Sequence, residues 1–254
     1  MTPKEIAWVF VSHASADLPK VRAIRNFMED RGAGPILFHL RALTHPDEFW
    51  PLIEREIAAR SFFLLCDSHA ARESQWVQRE QETVERISRN RPVRIGRVSL
   101  DEPAIDYAAL ERFLRNLSVH IVYPRDHSTA YAIANEELKR VGYAASAWGP
   151  AAESLRSLAA SPNAWDDFER MLEYSAKEGW LLLLLDNELA ASDEFARILP
   201  LPSSRKRMMV VLTEAVSAPL DRLGIHPQQI IDGSSDFRKA AAVAAQRMLV
   251  EGPD

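Results

Sequence analysis

Short, unbroken apolar runs alternate with amphipathic stretches through the first half of the chain, and this alternation restricts the fold more tightly than any other feature. Ile6 to Val11 is apolar at every position, whereas Leu18, Val21, Ile24 and Met28 recur at helical spacing and stop at Gly32. A strand that is apolar on both sides must be covered on both faces, which predicts a parallel sheet with helices above and below it. Further strands are predicted over 35–40, 61–66, 93–98 and 119–123, and helices over 46–60, 73–89, 104–114 and 129–141. Five strand–helix pairs in this order predict an α/β fold with a five-stranded, parallel, doubly wound sheet ordered 2-1-3-4-5.

The pattern breaks between Gly142 and Trp165, a stretch rich in Ala, Ser and Pro with a short helix expected around Ala151–Leu158. Three parts follow from this break: a domain over 1–145, a linker over 146–165, and a smaller α/β unit over 166–254. The last part echoes the first. An offset of 119 (166 minus 47) pairs Asp47 with Asp166, Phe49 with Phe168, Glu54 with Glu173, Leu64 with Leu183, Asp67 with Asp186 and Ala71 with Ala190. Met208–Leu212, Ile230-Ile231 and Phe237–Leu249 then match the fourth strand, fifth strand and last helix. Shared periodicity alone can also create such an echo. If the repeat is real, the second unit lacks its first two strands, and the run Leu181 to Leu185 needs a neighbour on its bare edge, expected from the first unit.

Charge and cysteine content exclude several functions. Lys and Arg number 31 against 36 Asp and Glu, a net charge of -5, so no general attraction to nucleic acid or anionic lipid is expected. Arg205-Lys206-Arg207 is too short to change that and reads as a solvated loop. Cys66 is the one cysteine, which rules out an internal disulfide and a cysteine-rich zinc site. It ends an apolar run and reads as a small buried hydrophobe. The histidines show no ligand spacing, so no metal is expected. The longest apolar run, Trp180 to Leu185, is far short of the roughly 20 residues of a membrane span. With no leader pattern ahead of Ile6, a cytoplasmic location is expected.

In a sheet ordered 2-1-3-4-5 the ligand crevice opens where strand order reverses, at the carboxyl ends of strands one and three. Two loops meet there, Ser12 to Asp17 and Asp67 to Ser74. Ser74, Trp76 and Glu80 lead into the following helix, with the indole and the carboxylate one turn apart on one face. Phe10-Val11-Ser12-His13-Ala14-Ser15-Ala16-Asp17, the passage Ile53 to Leu65, and Ser74-Gln75-Trp76-Val77-Gln78-Arg79-Glu80 resemble the first box, the second-helix and third-strand passage, and the S-x-W-x-x-x-E segment of Toll/interleukin-1 receptor (TIR) domains, particularly the stand-alone bacterial type. The resemblance covers residues 5 to about 142 and implies a flavodoxin-like TIR sheet there; the internal echo makes residues 166–254 a degenerate, partial TIR-like α/β unit.

In enzymatic members of the family, the glutamate of the last segment is the catalytic residue that cleaves NAD at the nicotinamide glycosidic bond. Glu80 holds that position here. The resemblance further implies that Trp76 walls the ribose or nicotinamide pocket, that Ser74 caps the helix beside it, and that Ser12, His13 and Ser15 line the facing loop. Leu40 to Asp47, with Leu43 in its middle, corresponds to the closing loop, and carries Pro46-Asp47 where the family has Pro-Gly. NAD is then a substrate and no cofactor is needed. Self-association through TIR domains, a downstream effector receiving a nucleotide signal, and a role in bacterial antiphage defence are implied by the same resemblance.

One carboxylate suffices for such chemistry. Ordinary glycosidases need a second carboxyl to protonate an alkoxide leaving group, whereas nicotinamide departs neutral from a cationic pyridinium. Each residue also has a plainer reading: Glu80 as a solvated helix charge, Trp76 as core packing, Ser74 as a helix start, His13 as a hydrogen-bonded strand-end residue. Two further functions stay open, a TIR interaction module without turnover and a binding protein for an ADP-ribose-like nucleotide. In the C-terminal echo, Trp76 aligns with Phe195 and Glu80 with Leu199, so that copy is expected to be inert and to act as a buttress or assembly surface.

Overall fold

The computed structural model describes residues 6–38, 49–101, 104–123, 128–147, 170, 179–199 and 207–251. The chain divides into two compact units, Met1–Leu117 and Ser118–Asp254. This boundary falls well ahead of the one expected at 145.

In the first unit, β1 (Ala7–Ser12), α1 (Leu18–Asp30), β2 (Ala33–Ile36), α2 (Trp50–Ala58), β3 (Phe62–Asp67), α3 (His69–Glu73), α4 (Gln75–Ser88), β4 (Arg94–Ser99) and α5 (Tyr107–Arg115) follow one another. The four strands are parallel and ordered β2-β1-β3-β4. Val21, Ile24 and Met28 bury the inner face of α1, and Gly32 takes φ 78°, a left-handed conformation that suits glycine and turns the chain from α1 into β2. Phe10, Phe63 and Leu65 on the strands pack with Trp50, Ile53 and Ile57 of α2 and Val77 and Val84 of α4. Helix α5 lies close on β4 because residue 96 is glycine: a Cβ there would stand 2.3 Å from the Phe113 ring. An ion pair at 2.8 Å joins Arg31, at the end of α1, to Glu111 of α5.

The second unit contains β5 (Ser118–Val122), α6 (Ser128–Val141), β6 (Ala144–Ala147), β7 (Trp180–Leu185), α7 (Asn187–Ala191), α8 (Asp193–Ile198), β8 (Met208–Leu212), β9 (Ile230–Asp232) and α9 (Phe237–Val250). Its parallel sheet runs β6-β5-β7-β8-β9. Counted within the unit, that is the 2-1-3-4-5 order. The five-stranded sheet predicted for the N-terminal domain is therefore the architecture of the second unit, and the first has four strands among the described residues.

The reason is the apolar run in β7. Every residue from Trp180 to Leu185 is buried, and each leucine contributes roughly 1.5–3 kcal/mol by leaving water. A strand buried on both faces cannot leave an edge unpaired. Strand β5 takes that edge, with Val119 opposite Trp180 and Val122 opposite Leu183, and β8 takes the other. The cover expected from the first unit is thus a strand of the second. Helix α6 follows β5 into this unit and is tied to α9 by Arg238, which meets Glu137 at 2.6 Å and Glu136 at 2.9 Å. Residues 144–147, expected as the edge of a linker, form strand β6.

The internal echo is carried by register. In each unit the second strand pairs with the first 26 residues further on: Ala7 faces Ala33, and Ser118 faces Ala144 (33 minus 7, 144 minus 118). The third strands, Phe62–Asp67 and Trp180–Leu185, are offset by 118, one less than the 119 read from the sequence. With Ser12 facing Leu65 and Val122 facing Leu183, the first strands are offset by 110 (122 minus 12). The second unit does possess its first two strands; the linear offset missed them because the segment between strands two and three is eight residues longer in the second unit (118 minus 110). The pairs of the echo that involve Asp47, Asp166, Phe168 and Glu173, and the helix expected over 151–158, lie outside the described residues.

A fragment of residues 118–254 is expected to be soluble and to unfold cooperatively by circular dichroism. A fragment of 146–254, which lacks β5 and α6 and leaves β7 with a bare edge, is expected to aggregate on size-exclusion chromatography. Equal behaviour of the two would overturn this boundary.

Candidate functional site

The crevice predicted by topology lies in the first unit, where the chain runs outward from β1 to β2 on one side and to β3 on the other. Ser12 is the last residue of β1 and sits beside Leu65 of β3. Beyond it, His13 is half-buried with Nδ1 3.2 Å from the Val11 carbonyl oxygen, and Ser15 is exposed at the start of a 3-10 turn, Ser15–Asp17.

The helix expected over 73–89 is α4, Gln75–Ser88, and the loop expected ahead of it holds the short helix α3, with Ser74 between the two. There the backbone is extended, and the Ser74 hydroxyl accepts a hydrogen bond from the Val77 amide at 3.4 Å. This is N-cap geometry, the plainer of the two readings of Ser74. The break turns α4 so that Val77, Glu80, Thr83 and Val84 are its buried residues. Trp76, one turn before Glu80, is half-buried against the cluster containing Phe10, Trp50 and Phe63. Its ring lies 5.9 Å from that of Trp50, whose other neighbour is the Arg79 guanidinium at 3.9 Å. A stacked cation of this kind holds Arg79 over the aromatic pair.

Glu80 is 7% exposed and Ser12 1% exposed. The Ser12 hydroxyl donates to Glu80 Oε2 at 2.5 Å across the buried interface between β1 and α4. Burial pushes the Glu80 carboxyl from an ordinary value of 4.5 up to about 7, although the Ser12 bond favours the ionised form and acts the other way. A desolvated carboxyl poised near neutrality at a strand-end crevice is a candidate for chemistry.

The facing loop is fastened by residues to which the sequence reading assigned nothing. Ser68 caps α3 by accepting the Ala71 amide at 2.9 Å and donates to Asp17 Oδ2 at 2.5 Å, joining the loop after β1 to the loop after β3. A serine directly before a helix is the signal that marks Ser68. Asp67 and Asp101 are both bound by Arg72, at 2.8 and 2.5 Å. Cys66 is fully buried, and its thiol is pushed up to about 12 by burial and by the nearby Asp17 charge, which leaves no reactive thiolate at neutral pH. No group of side chains suited to a metal occurs among the described residues. Leu43 and the loop from Leu40 to Asp47 lie outside the described residues.

The second unit has a matching double-helix corner without the carboxylate. Ser192 caps α8 by accepting the Phe195 amide at 3.2 Å, as Ser74 does with Val77. The offset between these caps is 118 (192 minus 74), the same as between β3 and β7. Val77 therefore corresponds to Phe195, Trp76 to Glu194 and Glu80 to Ile198, which corrects the gapless alignment with Phe195 and Leu199 by one residue. Val122, the last residue of β5, faces Leu183 as Ser12 faces Leu65 and holds the position of Ser12.

Residues 9–120 match the family model described as TIR domain, a span that runs from β1 through α5 into the first residues of β5. No curated protein matches the chain.

The folded protein holds the Glu80 proton more tightly than the unfolded chain. Its contribution to stability is therefore intact below about pH 4.5, falls as pH rises to about 7 and stays low above that. The loss is of order 3 kcal/mol. Glu80→Gln cannot ionise, so its melting temperature relative to wild type is expected to be higher by roughly 5–10 °C at about pH 8 than at about pH 5. A difference that does not change with pH would contradict the buried placement of this carboxyl.

Proposed function

We propose, on the premise of the TIR domain match over residues 9–120, that the chain is an NAD glycohydrolase that cleaves the bond between nicotinamide and ribose, with Glu80 as the catalytic residue. The observation that carries this reading is the buried Glu80 carboxyl, held by Ser12 at the carboxyl end of β1. In this reading the substrate brings a positive charge on its pyridinium ring. A cation near a desolvated carboxyl favours the ionised form and lowers its pKa on binding. As the glycosidic bond lengthens, the positive charge moves from the ring to the anomeric carbon, and the carboxylate stabilises it there. Nicotinamide leaves as a neutral amine without needing a proton. A preoriented negative charge in a water-poor site is worth more to such a transition state than the same charge in solvent.

Trp76, half-buried and one turn from the carboxylate, is proposed to present part of its ring to the nicotinamide or ribose. His13, Ser15 and Leu43 are proposed to line the approach. Water attacking the cationic intermediate gives ADP-ribose, and a nucleophile of the substrate itself gives a cyclic ADP-ribose-type signal; both share the step at Glu80. The second unit, with Val122 and Ile198 at the two key positions, is proposed to be non-catalytic and to serve assembly or support. Antiphage defence, with self-association through TIR domains and a downstream effector for the nucleotide signal, is the setting that the resemblance to bacterial members suggests.

Purified protein incubated with NAD is expected to release nicotinamide, quantified by chromatography. Glu80→Gln is expected to lower kcat by roughly 100-fold or more. Wild-type protein that releases no nicotinamide, dilute or concentrated, would instead make this a TIR interaction module.

A further inference from the structure

We propose that Ser12 is a positioning residue for Glu80: its buried hydroxyl holds Oε2 so that Oε1 is the oxygen presented to substrate. The inference rests on the glycohydrolase reading and assigns Ser12 a different part from lining the substrate loop. At 1% exposure Ser12 offers almost no surface to a ligand. Its Oγ lies 2.5 Å from Oε2, the length of a charge-assisted bond to a carboxylate. An ionised carboxylate can only accept, so the serine proton has a single destination and the carboxyl plane is set by it. The donor stands on β1 between two paired strands, the least yielding part of the unit. Among the described residues Glu80 makes no other hydrogen bond, which leaves Oε1 for the substrate.

No charged neighbour does the same work. Burial and the Ser12 hydroxyl are the two causes acting on the Glu80 carboxyl. On α4 itself, Arg79 lies over the Trp50 ring and Arg86 pairs with Glu54 of α2. Glu56 of α2 pairs with Arg60 at 2.8 Å. On the β1 side, His13 lies against the Val11 carbonyl and Asp17 accepts from Ser68. On β3, Asp67 is bound by Arg72 and Arg97. The second unit supplies an internal comparison, since both members of the pair are exchanged there, Ser12 for Val122 and Glu80 for Ile198. Neither is kept without the other.

The test follows the titration of Glu80 by carboxyl carbon NMR, and kcat/KM for NAD against pH, in wild type, Ser12→Ala and Ser12→Thr. Loss of the hydroxyl is expected to raise the Glu80 pKa by about one to two units and to shift the acidic limb of kcat/KM upward by the same amount. Ser12→Thr, which keeps a hydroxyl, is expected to return both toward wild type. If Ser12→Ala does not fold, Ser12→Cys, of similar size with a weak donor, is expected to give a shift of the same sign. A folded variant in which Glu80 titrates as in wild type, or in which kcat/KM drops equally at every pH, overturns the proposal. Wild-type protein without turnover would sink the glycohydrolase reading alone, because the carboxyl titration still decides whether Ser12 holds Glu80.

Discussion

The pairing of β5 with β7 governs how this chain is divided. A strand made of Trp180 and five consecutive leucines has no polar side to turn toward water, so both its faces and both its edges must be occupied. The nearest strand able to satisfy it is 118–122. Once that strand is taken, α6 and β6 follow it, the first sheet ends at β4, and the boundary moves to Leu117. The register of both sheets then repeats with a common offset at the first two strands, so two units of related plan stand in tandem in one chain.

The candidate site does not depend on the fifth strand. It is built from the end of β1, the paired end of β3 and the buried face of α4, all of which lie at the reversal of strand order in the first unit. Four strands are enough to form it. The unit that has five strands carries Val122 and Ile198 where the first carries Ser12 and Glu80. Completeness of the sheet and possession of the acidic pair are therefore separate properties of this protein, as expected when a fold is a platform and the chemistry resides in a few side chains set on it.

At Glu80 two opposing effects meet. Desolvation disfavours the charge, and a short hydrogen bond from Ser12 favours it; burial is the larger, and the carboxyl comes to rest near neutrality. An exposed glutamate on the same helix would be ionised, well solvated and of little use to a developing cation, because water would screen it. A buried glutamate with no donor would be protonated. The single hydroxyl keeps the group between these limits.

Much of this was legible in the chain. Periodicity located β1, β3, β4, β5, β8 and α9 to within a residue or two, since apolar runs and helical spacing are local consequences of burial. The strand-end loops follow from the expected strand order, and Ser12, Trp76 and Glu80 from the resemblance to TIR domains. Sheet membership was not, because which edge a strand pairs with depends on competition between distant segments, and β5 is equally apolar whichever sheet receives it. The short helix α3 ahead of Ser74 was not read, because five residues are too few to show a helical period. Composition, spacing and motif thus determined by themselves the α/β class and the acidic candidate. Only the tertiary structure decided that the acid is buried, that Ser12 is its one hydrogen-bond partner among the described residues, and that the chain parts at residue 117, because burial, partnership and edge pairing arise between segments that the sequence keeps far apart.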